Sequence, residues 1–163
     1  MKTSQAPEVR SKGAIAQVLI KLLYVPTIYF DAAWPSARNR SDILAIDRAG
    51  SGDVHVVAIA KDIDEAEKAL PKLMQIPAQF RWISFPKEQK PDRMREYKRV
   101  NKLPLFPEDG MGRVGVILVA PDEDCDSEGL AAVVAKRAER FPGSYYDEAD
   151  KFMAKHKADI LFR

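Results

Sequence analysis

Two β-forming runs set close together constrain this chain more than any other feature. Ser41-Asp-Ile-Leu-Ala-Ile-Asp47 and Val54-His-Val-Val-Ala-Ile-Ala-Lys61 are separated only by the glycine-bearing Arg48-Ala-Gly-Ser-Gly-Asp53. Such runs joined by a short glycine turn read as a hairpin, so the two strands are expected to be antiparallel. A lone hairpin is marginal in water, and its apolar faces require more strands or covering helices. The flanking sequence offers both.

Upstream, Val9, Ile15, Val18, Leu19, Leu22 and Leu23 recur at helical spacing, which predicts an amphipathic helix from Glu8 to about Tyr24. It should stop at Val25-Pro26, because the residue before proline avoids helical angles. Thr27 to Ala32 reads as a strand. Downstream, Asp62 with Glu65 has capping-box spacing and opens a helix from about Ile63 to Met74. Ile63, Ala66, Leu70, Leu73 and Met74 should face the core, and Pro71 should kink or divide the helix. Phe80 to Phe85 reads as a fourth strand and Arg113 to Ala120 as a fifth, its continuous apolar run implying burial on both faces. A helix is expected from about Glu128 to Arg140, where an acidic N-terminus suits the helix dipole. Pro142-Gly-Ser144 then leads to a final helix from Tyr145 to Lys157. This order predicts an α/β domain, a mixed central sheet flanked by helices. The 163 residues suffice for one such domain, residues 1–7 forming a flexible tail.

With 26 basic and 24 acidic residues, the surface as a whole is not a polyanion-binding face. One cysteine, Cys125, excludes an internal disulfide, and two histidines exclude a multi-histidine metal centre. The longest apolar-rich stretch, Ala14 to Tyr24, is interrupted by Gln17 and Lys21 and is too short to span a bilayer. No membrane association and a cytoplasmic location are therefore expected.

The element order, with Asp42 entering the second strand, resembles the PD-(D/E)xK nuclease superfamily, the restriction-endonuclease-like fold. The likeness rests on Arg40-Ser-Asp-Ile-Leu-Ala-Ile-Asp47, the glycine turn and Val54 to Lys61. It implies an aspartate at position 42 and an acid-x-lysine on the next strand, converging on Mg²⁺ or Mn²⁺. Only the first position carries over. Ala58 stands where the family carries its acid and Ala60 where it carries its lysine. Lys61 falls one residue late, on the opposite face unless a β-bulge redirects it. Asp47, Asp31 and Glu8 are the available substitute carboxylates.

Three readings follow. The first is a nuclease-like domain without catalysis, needing no cofactor, that binds DNA or RNA or a protein partner. Its nucleic-acid contact would be the basic stretch with Lys87, Lys90, Arg93, Arg95, Lys98, Arg99 and Lys102. The second is an active metal-dependent nuclease with a migrated site of Asp42, Asp47 and Lys61, Asp42 holding the metal. The third is a structural module that assembles with itself or another protein.

Overall fold

The computed structural model describes residues 7–23, 26–47, 52–86, 113–121 and 130–156. The basic stretch from Lys87 to Lys102 and the acidic loop from Asp122 to Glu128 lie outside the described residues.

The chain runs α1 (Pro7–Leu22), β1 (Pro26–Ala33), β2 (Arg40–Asp47), β3 (Val54–Ile59), α2 (Ile63–Gln75), β4 (Phe80–Pro86), β5 (Gly115–Pro121), β6 (Leu130–Lys136) and α3 (Tyr146–Lys155). These strands form one six-stranded sheet in chain order. The hairpin expected at the glycine turn is present: β2 and β3 are antiparallel, with Ile43 opposite Val57 and Ile46 opposite Val54. β1 adds to β2, also antiparallel. The α2 crossover then returns the chain so that β4 lies parallel to β3, and β5 parallel to β4. The sheet is thus mixed, with helices on both faces.

Strand alternation sorts the core in two. Leu44, Ile46, Val54, Val56, Ile83, Val116 and Leu118 pack with Ala66, Leu70 and Leu73 of α2 and with Ala149 and Phe152 of α3. Ile28, Ile43, Ala45, Val57, Trp82, Ile117 and Val119 pack under Ile15, Ala16 and Leu19 of α1. β5 contributes to both clusters, as its unbroken apolar run implied.

α2 begins as its capping residues dictate, Asp62 Oδ1 accepting from the Glu65 N–H at 2.8 Å. Pro71 does not divide it. Pro71 and Glu67, whose carbonyl loses its usual donor, are both exposed, so water can take that place.

The segment expected as a helix from Glu128 to Arg140 is a strand instead. β6 pairs antiparallel with β5, Leu118 opposite Val133 and Ala120 opposite Ala131. Its alanines favour a helix, but β5 would otherwise present an unpaired apolar edge, and Val133-Val134 suits a strand. Ala132 and Val134 complete the cluster under α1, while Val133 is 51% exposed. No helix dipole therefore explains the preceding acidic residues. Among the described residues no helix is long and apolar enough to cross a membrane.

Candidate functional site

Asp42 lies at the start of β2, one register step beyond the Ile43–Val57 pair and therefore opposite Ala58. Its half-buried carboxylate has a defined task. Oδ2 accepts the Ile59 backbone N–H at 2.7 Å, while the following amide, Ala60 N–H, turns the other way to Ser84 O at 2.7 Å. Asp42 thus closes the end of the β2–β3 ladder.

The two positions beside it are filled by methyl groups. Ala60 is 2% exposed and Ala58 is half-buried, both against the core shared by α2 and α3. Val57 and Ile59 face α1. The β3–β4 register runs unbroken to Ile59–Ser84 and Ala58 and Ala60 keep to one face, so no bulge redirects Lys61, which is exposed just past the end of β3.

Asp47 is not brought to this place. It ends β2, opposite Pro26, with its N–H on Asp53 O at 3.0 Å. Five residues along a strand separate it from Asp42 by roughly 16 Å.

Asp31 is the neighbour of Asp42 in register, but its side chain pairs with a cation that sequence reasoning missed. The β1–β2 register sets Asp31 across from Asp42, between the pairs Phe30–Ile43 and Ala32–Ser41. Asp31 has a left-handed backbone, φ 51°, which aspartate tolerates better than most residues. Lys12 of α1 donates to both of its carboxylate oxygens at 2.8 Å. Lys12 belongs to α1, which covers the face of Ile43 and Val57, so this pair lies on the other side of the sheet from Asp42, which alternates onto the face of Leu44, Ala58 and Ala60. The spacing of Lys12 and Asp31 in the chain gave no sign of the pair.

These residues do not fit a divalent-metal centre. One carboxylate caps a strand, the other is held by an ammonium, and the positions that would complete the set are alanines. Among the described residues no group of three or more His, Cys, Asp or Glu side chains is placed to hold a metal ion.

His55 is structural. Its buried ring stacks on Phe80 at 4.4 Å, and Nδ1 accepts the Trp82 indole N–H at 3.1 Å, which assigns the proton to Nε2. Burial pushes its pKa down to about 4, against weaker opposing pulls from Asp53 and Asp47. Trp34 is likewise a packing residue, fully buried, with its indole N–H on Pro77 O at 2.6 Å. Tyr145 packs at the core margin, whereas Tyr146 is 60% exposed beside Gly52.

The molecule belongs to the mixed α/β class, a helix and an antiparallel three-stranded meander followed by a crossover to parallel strands. A solved structure, the SPO1766 protein of unknown function from Silicibacter pomeroyi, shares this fold with a TM-score of 0.61. The likeness covers 96% of this chain and 89% of that one at 12% identity. No protein-family model matches the chain, and no curated protein matches its sequence.

Proposed function

We propose that this chain is a nuclease-like α/β domain without catalysis that binds nucleic acid. The observation that carries the reading is Asp42, on β2 opposite Ala58, with Ala60 one step along the same face. The helix, three-strand meander, crossover helix and parallel strand match the order the nuclease resemblance implies, and methyl groups stand where its acid and amine would be. The basic stretch from Lys87 to Lys102 supplies phosphate contacts, and the domain works in the cytoplasm, where a lone Cys125 stays reduced. The migrated-site alternative requires Asp42, Asp47 and Lys61 to converge, and the length of β2 separates the two aspartates.

Fluorescence anisotropy with labelled single- and double-stranded oligonucleotides at 50 and 200 mM salt tests the reading. Binding that weakens at least tenfold over that range supports it. No binding to either probe at 50 mM refutes it and leaves a protein partner or self-assembly as the function.

A further inference from the structure

At the end of the sheet away from Asp42, the N-terminal ends of β3, β4 and β5 meet the segment that follows β6. Gln79, 2% exposed and next to β4, ties β3 to the segment after β6. Its side chain accepts the Val54 N–H at 2.7 Å and donates to Gly143 O at 3.2 Å, and its carbonyl accepts the Phe141 N–H at 2.7 Å. The Glu139 N–H bonds Arg113 O at 2.8 Å. Residues 139–143 are therefore pinned to the rigid sheet rather than left as a loose connection.

This pinned segment gathers cations. The Arg81 guanidinium lies 4.4 Å from the centre of the Phe141 ring and that of Arg113 5.9 Å from the same centre. Arg113 reaches Arg140 O at 3.4 Å, Lys136 reaches Val114 O at 3.2 Å, and Arg137 is exposed between them in sequence. Arg81 is 7% exposed and bonds the carbonyls of Leu73 and Ile76 at 3.2 and 2.8 Å, neither of which carries a charge. Burial lowers the pKa of Arg81 and of Lys136, opposed only by Tyr145 and Glu139 respectively. Of the nearby carboxylates, Asp53 is engaged by Arg140 at 3.1 Å. Arg81, Arg113, Lys136 and Arg140 thus gather around a short stretch, with Arg137 exposed in the same segment; its acids are Asp53, the neighbouring Asp47 and Glu139, and Asp147 and Glu148 stand in the first turn of α3.

We infer that Arg113, Arg137 and Arg140 form a phosphate-binding surface for the nucleic-acid backbone, at the end of the sheet opposite Asp42. This rests on the nucleic-acid reading above and adds a second binding surface to it. Guanidinium groups suit the task because each presents a planar fork of donors to phosphate oxygens. Phe141 and Arg81 hold the surface from beneath, Arg81 as a positioning residue. Contacts of this kind are to the backbone and carry no base preference.

The test compares the wild-type chain with R113Q/R137Q/R140Q and R113K/R137K/R140K, using anisotropy with a labelled 20-nucleotide strand and the matching duplex across a salt series. At roughly 0.7 to 0.9 for each phosphate no longer neutralised, the glutamine variant should lower the slope of log K against log salt by about 2 to 3. The lysine variant should keep most of the slope, which separates removal of charge from loss of folding, and circular dichroism checks the fold of both. Neutralising Lys98, Arg99 and Lys102 in a fourth protein locates the other binding surface. If that protein loses slope and the glutamine variant does not, the surface inferred here is overturned while the nucleic-acid reading stands. If wild type binds neither probe, both are overturned.

Discussion

Removing the Asp42 carboxylate separates a strand cap from a metal ligand. The structure gives it a well-defined partner, the half-buried Ile59 N–H at 2.7 Å. In Asp42→Ala that amide loses its acceptor near the end of β3, at a cost of about 1–2 kcal/mol. For a chain of this size the melting temperature should then fall by roughly 3–6 °C. Asp42→Asn keeps an acceptor oxygen at the same reach and should lose less than about half as much. A metal ligand behaves otherwise: 10 mM Mg²⁺ at a site with a Kd of 0.1 mM would stabilise wild type by about 2.7 kcal/mol, and either substitution would abolish that gain. The assay is differential scanning fluorimetry of the three proteins with 10 mM Mg²⁺ or with EDTA. Asp42 is not a strand cap if Asp42→Ala melts with wild type in EDTA, and it is a metal ligand if Mg²⁺ raises the wild-type melting temperature by several degrees and leaves Asp42→Asn unmoved.

Three further outcomes follow from the packing. The folded pKa of His55, about 4, lies below its ordinary 6.5, so on acidification the unfolded chain takes the proton first. The stability from the neutral ring is complete above pH 6.5 and is lost between 6.5 and about 4, up to about 3 kcal/mol. Urea unfolding at pH 7.5 and 4.5 should show that loss in wild type and a clearly smaller one in His55→Phe. Arg81→Met should cost about 2–4 kcal/mol in chemical denaturation, because the carbonyls of Leu73 and Ile76 lose a buried donor and Phe141 its cation. Gly115→Ala should cost at least about 1–3 kcal/mol by the same measurement, since a methyl there meets the Trp82 ring and lies 2.7 Å from the Ala138 nitrogen.

The hairpin, the α2 cap and the buried character of β5 were legible because each is written in neighbouring residues: a glycine turn, Asp62 with Glu65, an unbroken apolar run. β6 was not. Leu130-Ala-Ala-Val-Val-Ala-Lys136 carries a helical composition, and only the unpaired edge of β5, which the local residues do not reveal, makes it a strand. The candidate site divides in the same way. Alternation along β3 foretold that Ala58 and Ala60 share a face, and the hairpin register put Asp42 opposite Ala58. The Lys12–Asp31 pair required knowing how α1 crosses β1, and the left-handed turn of Asp31 has no signature in sequence. The arginines around Phe141 come from three separate segments, joined by Gln79 and by the Glu139 N–H on Arg113 O, so no linear window contains them.

The most direct measurement uses one tube and two gels. An end-labelled duplex and its single strand are incubated with the protein and Mn²⁺ at 50 mM salt, then run on a native and a denaturing gel. A shifted band is expected on the first and full-length strands on the second. Shortened strands that vanish with Asp42→Ala would contradict binding without cleavage, as would an unshifted native band.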